Sequence, residues 1–390
     1  MINALYKYLE NNQAPLREIA DKIWENPEIG YHETFASTTV CDFLRSRGFS
    51  VEIPFVGIDT AFKAEYQNGD GPTFAFCSEY DALAGLGHGC GHNLICSCGI
   101  GAFLAAADYM KTHDVHGKVV LLGTPAEESF GGKVKMEEAG CLNGIDAVVM
   151  AHPSKFFSHD SGHSAVIGYE VTFHGKAAHA GASPWLGVNA LDATMLLFAA
   201  VNAYRQQMHP SAIIHGIVTN GGDAPNIIPD TSTSRTYIRS TIEELLEPLQ
   251  KRFLAMVKGA ELMTGTTAEV SVFHVLYRAA KPNNVMNEEY AKLIEALGEE
   301  VLTPTATGRG STDFSNFTRA IPGCHFNFAI APETCKSLPG HSLEFKEAAH
   351  SDYGFAKMLK AAAAMAAIGI RYLGDQQFRD DVNTDFNLCK

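Results

Sequence analysis

Apolar residues recur along the first 150 or so residues with two alternating periods. Leu16 to Trp24 and Thr34 to Arg47 space them near every 3.6 residues and read as helices. Short apolar runs at Thr73 to Cys77, Val119 to Gly123 and Asp146 to Ala151 read as buried strands, with helical spacing near 99–113 and 131–139 between them. Helix and strand alternating in this way predict βαβ units around a mainly parallel sheet. From about Ala165 the texture changes. Strands of alternating pattern at Ala165 to Phe173, Ala212 to Thr219, Thr231 to Arg239 and Ala268 to Val275 flank long helices at Leu186 to Met208 and Thr241 to Met263. Four antiparallel strands and two helices predict an α+β insert. Lys281-Pro282-Asn283-Asn284 marks the return, and Phe355 to Tyr372 reads as a C-terminal packing helix. The expected fold is α/β: a mainly parallel-sheet catalytic domain in two parts, 1–165 and 280–390, around an inserted lid or dimerisation domain, 166–279.

Composition narrows the class. With 390 residues, 46% hydrophobic and 19% charged, the chain is ordinary globular material of two or three domains. A formal charge of −14 argues against nucleic acid, whose phosphates need clustered Lys and Arg. Nine cysteines, unevenly placed, read as reduced thiols rather than a disulfide framework. Cys96 and Cys98 form a Cys-x-Cys, and as small core residues opening an apolar helix they need no metal. The start lacks a signal peptide's apolar region, and no uninterrupted apolar span reaches membrane length, so a cytoplasmic protein without membrane partners is expected.

The chemistry is concentrated at apolar-run ends. In Gly87-His88-Gly89-Cys90-Gly91-His92-Asn93, glycines open the backbone around a thiol and imidazoles, which suit borderline-soft divalent metals. A chance Cys-x-His is common, so the partners matter. Glu127 and Glu128 follow the Val119–Leu122 run, where open α/β sheets build their sites. Such a pair either caps a solvated helix start or divides into a metal ligand and a proton carrier, because a nearby cation keeps both ionised. His152 ends the next strand, and His341 follows Pro339-Gly340 far downstream. Cys90, His92, Glu128, His152 and His341 are too many donors for one tetrahedral ion and suit two bridged metals.

Taken together, the chain resembles metal-dependent amidohydrolases of the aminoacylase and carboxypeptidase-G superfamily, in the branch of aminobenzoyl-glutamate hydrolase, auxin-conjugate hydrolases and related dipeptidases. The resemblance is carried by those motifs with Asn26-Pro27-Glu28-Ile29-Gly30 and Glu33, Tyr80-Asp81-Ala82-Leu83, Gly175 to Gly181, Asn226 to Asp230, and Ser311-Thr312-Asp313-Phe314. It implies Cys90, His92, Glu128, His152 and His341 as ligands of two divalent ions, zinc or manganese first and cobalt or nickel as alternatives. It implies Glu127 as general base acting on a metal-bound water. It also implies His179 as oxyanion stabiliser reaching a partner subunit, hence a homodimer or larger homo-oligomer through the insert. Cys77 stands where the superfamily has its first metal-binding histidine, so His92 is expected to take over that role, with Glu79 orienting an imidazole. Asp81 and His88 are placed beside the ligands. Asn226, Arg239, Gly310 and Ser311 are candidates for the substrate, a small N-acyl amino acid, aryl-amino-acid conjugate or dipeptide with a free carboxylate. The alternatives are a catalytically inactive ligand-binding homologue and an endopeptidase acting on longer chains.

Overall fold

The computed structural model of the chain describes every residue except Ser129, 305–309 and 389–390. Its strands are β1 (Ser50–Glu52), β2 (Phe62–Asn68), β3 (Thr73–Ser78), β4 (Gly117–Gly123), β5 (Ala147–Ser154), β6 (Phe157–Ser158), β7 (Ala165–His174), β8 (Ala212–Asn220), β9 (Thr231–Ser240), β10 (Thr267–Tyr277), β11 (Val301–Leu302) and β12 (Gly323–Ala329). The helices are α1 (Ile2–Asn11), α2 (Gln13–Glu25), α3 (Thr34–Ser46), α4 (His92–His113), α5 (Gly132–Glu138), α6 (Ala190–Tyr204), α7 (Leu246–Thr264), α8 (Asn284–Ala296), α9 (Phe314–Ala320), α10 (Leu343–Ala348), α11 (Asp352–Gly374) and α12 (Gln376–Leu388). The chain divides into two compact units. One comprises Met1–Gly162, Ala280–Thr307 and Thr312–Lys390, and the other His163–Ala279 with the short stretch ending at Ser311.

The larger unit is built on an eight-stranded sheet of order β1-β2-β4-β3-β5-β12-β6-β11. Its centre is parallel, through the β4–β3, β3–β5 and β5–β12 pairs. The Val119–Leu122 run, expected to be a parallel strand, has a parallel neighbour on one side only. On the other lies antiparallel β2, which the pattern of residues did not announce. Because β4, β3 and β5 are adjacent and parallel, the C-terminal ends of three chemistry-bearing segments lie side by side. Long helices α4 and α11 join the main core, with Phe103, Ala363 and Ile368 wholly buried. Both are long and apolar enough to cross a membrane, yet 89% and 78% of their apolar windows is buried inside the protein, as core helices require.

The smaller unit has one antiparallel sheet, order β10-β7-β9-β8, and its core joins the inner face of that sheet to α6 and α7 through Val171, Leu197, Ile238 and Phe253. Helix α6 starts at Ala190 rather than at Leu186. Pro184–Leu186 forms a separate 3₁₀ turn, and Asn189 Oδ1 caps the helix by accepting from the Leu191 and Asp192 N–H groups at 3.0 and 3.3 Å.

Candidate metal centre

The thiol and imidazole of the glycine-rich loop are placed by the start of α4. Gly91 caps the helix in the left-handed region at φ 74°, and a Cβ there would come within 2.8 Å of Pro153. His92 is therefore the first helical residue, seven positions earlier than the apolar spacing indicated. Cys96 and Cys98 lie within the helix, buried. The His92 ring is fixed from beneath: its Nδ1 lies 2.9 Å from Asp81 O and 3.1 Å from Asp81 Oδ1, which leaves Nε2 facing the other donors. Asp81 Oδ2 accepts from the Glu128 N–H at 2.8 Å, so one buried carboxylate sets both a ring and the glutamate turn. The orienting acid is thus Asp81 rather than Glu79.

Glu128 Oε1 is buried without a hydrogen-bond partner, 3.8 Å from His92 Nε2 and 4.0 Å from His341 Nε2. A buried carboxylate oxygen that accepts no hydrogen bond is costly, and a metal ion shared with the two imidazoles would offset that cost. His152 Nδ1 donates to Pro153 O at 2.7 Å, leaving Nε2 as the lone-pair nitrogen. The loop bearing His341 is tied to the glycine-rich loop, its N–H donating to Gly89 O at 3.2 Å. Three overlapping groups result: Cys90, His92 and His152; Cys90, Glu128 and His341; His92, Glu127 and Glu128. In each, the ligand atoms lie within 4.8 Å of one another. All five expected ligands therefore meet, and Glu127 meets them as a sixth donor.

Electrostatics favour a cation here. Burial pushes the Glu127 carboxyl well above the usual range, and Glu128, Glu79 and Asp313 push it further. Burial would push the His92 imidazole down, but Asp81 and Glu79 win and raise it well above its ordinary value. The Cys90 thiol is pushed up by burial. A divalent ion would reverse each of these, releasing the His92 and Cys90 protons as it binds. A thiol, three imidazoles and a carboxylate form a donor set that fits divalent metal ions.

Beneath the donors lies a network that the sequence did not disclose. Lys133 is fully buried, with Nζ 2.6 Å from Glu79 Oε1 and 2.7 Å from Asp313 Oδ1. Its N–H donates to Asp313 Oδ2 at 2.9 Å. Glu79, expected to orient a ring, is instead held by this lysine, with Oε2 3.6 Å from His92 Nε2. The available signal was Lys133 standing three residues before Met136, on the apolar side of α5. His88 is buried too, but its Nε2 donates to Ile23 O at 2.9 Å, which anchors the loop to α2. Burial pushes its imidazole down to about 3.

The insert's candidates lie in its own unit. His179 is exposed, its Nδ1 accepting from the Gly181 and Ala182 N–H groups at 3.1 and 3.0 Å. Asn226 is exposed, and its carbonyl accepts from the Ala180 N–H at 2.9 Å. Arg239 Nη1 donates to Ser311 Oγ at 2.9 Å and Nε to His215 Nε2 at 3.2 Å. Gly310 is exposed and accepts from the Ser164 N–H at 2.8 Å; Gly308 and Arg309 of the same glycine-rich stretch lie outside the described residues.

The profile of Peptidase family M20/M25/M40 matches residues 58–367. The chain belongs to that family. It is 36% identical to the mouse protein Xaa-Arg dipeptidase over 96% of this chain and 89% of that protein. To a p-aminobenzoyl-glutamate hydrolase component of Escherichia coli it is 32% identical over 67% of this chain and 58% of that one. A dinuclear metal-binding M20-family peptidase of Bacillus subtilis shares the fold, with a TM-score of 0.66 at 19% identity over 91% of this chain and 99% of that chain. As an M20-family member with an assembled donor set, the protein is a metal-dependent hydrolase of peptide or amide bonds.

Proposed function

We propose that the protein hydrolyses the amide bond of dipeptides and N-acyl or aryl amino acids at a centre of two divalent ions, zinc or manganese first. The observation that carries this is the carboxylate pair: Glu128 stands among the imidazoles and the thiol, while Glu127, within 4.8 Å of both Glu128 and His92, exceeds what the five ligands require. Bound among these donors, the metals would polarise the scissile carbonyl and acidify the attacking water. Glu127 takes the proton from that water and delivers it to the leaving amine. The burial and like charges around Glu127 raise its proton affinity, which suits the delivery half of the task.

His179 stabilises the oxyanion. Because its Nδ1 accepts two backbone N–H groups, the ring proton resides on Nε2, so an exposed donor is pre-set for an oxygen that becomes negative during attack. We read it as acting on the site of a second copy. Strand β8 supports this pairing: it ends the insert's sheet and exposes Ile217 and Val218, an edge suited to another strand. Arg239 and Ser311, already hydrogen-bonded, offer a guanidinium and a hydroxyl for the substrate carboxylate, with Asn226 and the Gly310 backbone for the amide. The mouse relative's name makes dipeptides ending in arginine the first to test. Eight described cysteines are free thiols, in keeping with the reducing cytoplasm.

The test is a panel of dipeptides, N-acyl amino acids and aminobenzoyl-glutamate, run with zinc or manganese and metal content measured alongside. Hydrolysis of small members with a free carboxylate is expected. Full metal occupancy without hydrolysis would leave a binding protein, and internal cuts in longer peptides would make it an endopeptidase.

A further inference from the structure

The turn carrying Glu127 contains a backbone conformation that its residue does not favour. Ala126 has φ 62°, in the left-handed region that a side chain other than glycine enters only under constraint. Both of its backbone groups are pinned. Its carbonyl accepts from the Gly132 N–H at 3.0 Å, and its N–H donates to Glu33 Oε1 at 2.8 Å. Glu33 is wholly buried, and its second oxygen accepts from Thr60 Oγ1 at 3.0 Å. Thr60 is held in turn, its carbonyl accepting from the Tyr80 hydroxyl at 2.5 Å. A chain of buried hydrogen bonds thus runs from Tyr80 through Thr60 and Glu33 to the N–H of Ala126, the residue just before Glu127.

We propose that Glu33 is a positioning residue for the catalytic base: its carboxylate grips the Ala126 N–H and keeps the Glu127 turn in its left-handed form. A buried acid is an expensive way to satisfy one backbone donor, since a hydroxyl or carbonyl would serve. A two-oxygen acceptor, however, holds the turn at one end and is itself held at the other. Without it, Ala126 relaxes toward negative φ, and the following residue swings with it. The side-chain hydrogen bonds of Glu33 among the described residues go to Thr60 and Ala126, and it is remote in sequence from every metal donor. The role rests on Glu127 being the base of the proposed reaction, but the motion of the turn can be measured without that assumption.

The experiment compares Glu33→Ala, Glu33→Gln and Thr60→Val in the full-length, metal-loaded protein. Amide exchange over residues 124–132, metal content, kcat and KM on the best substrate of the panel are the readouts. In Glu33→Ala the turn exchanges about tenfold faster or more and kcat falls about tenfold or more, with KM and metal content within about twofold, as misplacement of a reacting group requires. Glu33→Gln keeps an amide oxygen for the Ala126 N–H and recovers kcat to within about threefold of the wild type. Thr60→Val falls between, since its isostere frees one carboxylate oxygen without opening a cavity. If Glu33→Ala does not fold, the other two variants carry the test alone. Wild-type exchange and wild-type kcat in Thr60→Val and Glu33→Ala overturn the proposal. So does a Glu33→Gln that is folded and as slow as Glu33→Ala, because the charge would then matter and the grip would not. Should no panel member be hydrolysed, the proposed reaction fails, and the exchange rates still decide whether Glu33 holds the turn.

Discussion

The metal centre and the insert's candidate residues are built on opposite plans. In the larger unit, His92, Glu79, Asp81, Lys133 and Asp313 are all buried, and each is fixed by another side chain. In the insert, His179 and Asn226 are exposed; the His179 ring is held by backbone N–H groups of its own loop, and the Asn226 carbonyl by the Ala180 N–H of that same loop. Buried charges must be paired to be tolerated, so the first plan produces a rigid, self-contained donor set. Exposed residues on fixed loops suit a partner that arrives from outside, whether substrate or a second copy. The contrast places the clustered metal donors in one unit and the exposed, approachable candidates in the other.

The sharpest break of that contrast is Glu127→Ala. It should lower kcat by about 10²–10⁴-fold while metal content and the melting curve stay near wild type. Glu128→Ala should instead lose metal, read by elemental analysis. Equal metal content in the two variants would erase the division of labour between the adjacent glutamates. Next in size is Lys133→Met, which strands Glu79 and Asp313 in the core. A loss of about 3–5 kcal/mol in denaturant unfolding is expected. A loss below about 1 kcal/mol would mean that the two acids find protons or water, and that the network is no fixed foundation.

How far the residues alone revealed this division follows burial. The parallel core strands, the insert's alternating strands and the helix at Asp352–Gly374 were all legible, because apolar period and turn residues agree there. The start of α4 was hidden, since His92, Asn93 and Ser97 are buried polar groups. Asn93 Nδ2 donates to Ala349 O at 3.0 Å and Ser97 Oγ to Leu16 O at 3.1 Å. Gly99, which looked like a helix boundary, is mid-helix because a Cβ there would meet Ser78 Oγ at 2.4 Å. Strand β12 was missed because its pairing with β5 is long-range and polar residues interrupt it. The five candidate ligands were picked out by motif chemistry, and the fold brings their donor atoms together. Lys133 was not, because a single lysine after two glycines looks like surface until its partners Glu79 and Asp313 are brought to it by β3 and α9.

His179→Ala probes the insert's side of the contrast. About 10²–10³-fold should be lost from kcat, with metal content unchanged. Mixing Glu127→Ala with His179→Ala chains then separates two geometries. If His179 serves a second copy's site, each mixed dimer regains one complete site, and statistical exchange restores about a quarter of wild-type activity. If it serves its own chain, no combination is complete and the mixture stays inactive.

The smallest effect expected is also the most direct reading of how burial tunes the larger unit. Burial, with Asp81, pushes the Glu33 carboxyl from its ordinary value up to about 7. The folded protein therefore holds this proton more tightly than the unfolded chain does. Stability from it is fully present below about pH 4.5 and is lost as pH rises through about 7. Glu33→Gln is neutral at every pH and escapes that loss. Its unfolding free energy should match the wild type near pH 4 and exceed it at pH 8 by up to about 3 kcal/mol, the upper bound that a shift of this size allows. A gain that does not depend on pH would locate the effect in the amide's own hydrogen bonds. A loss at pH 8 would mean that the ionised carboxylate is the better acceptor for Ala126, and that bound cations outweigh burial in setting its charge.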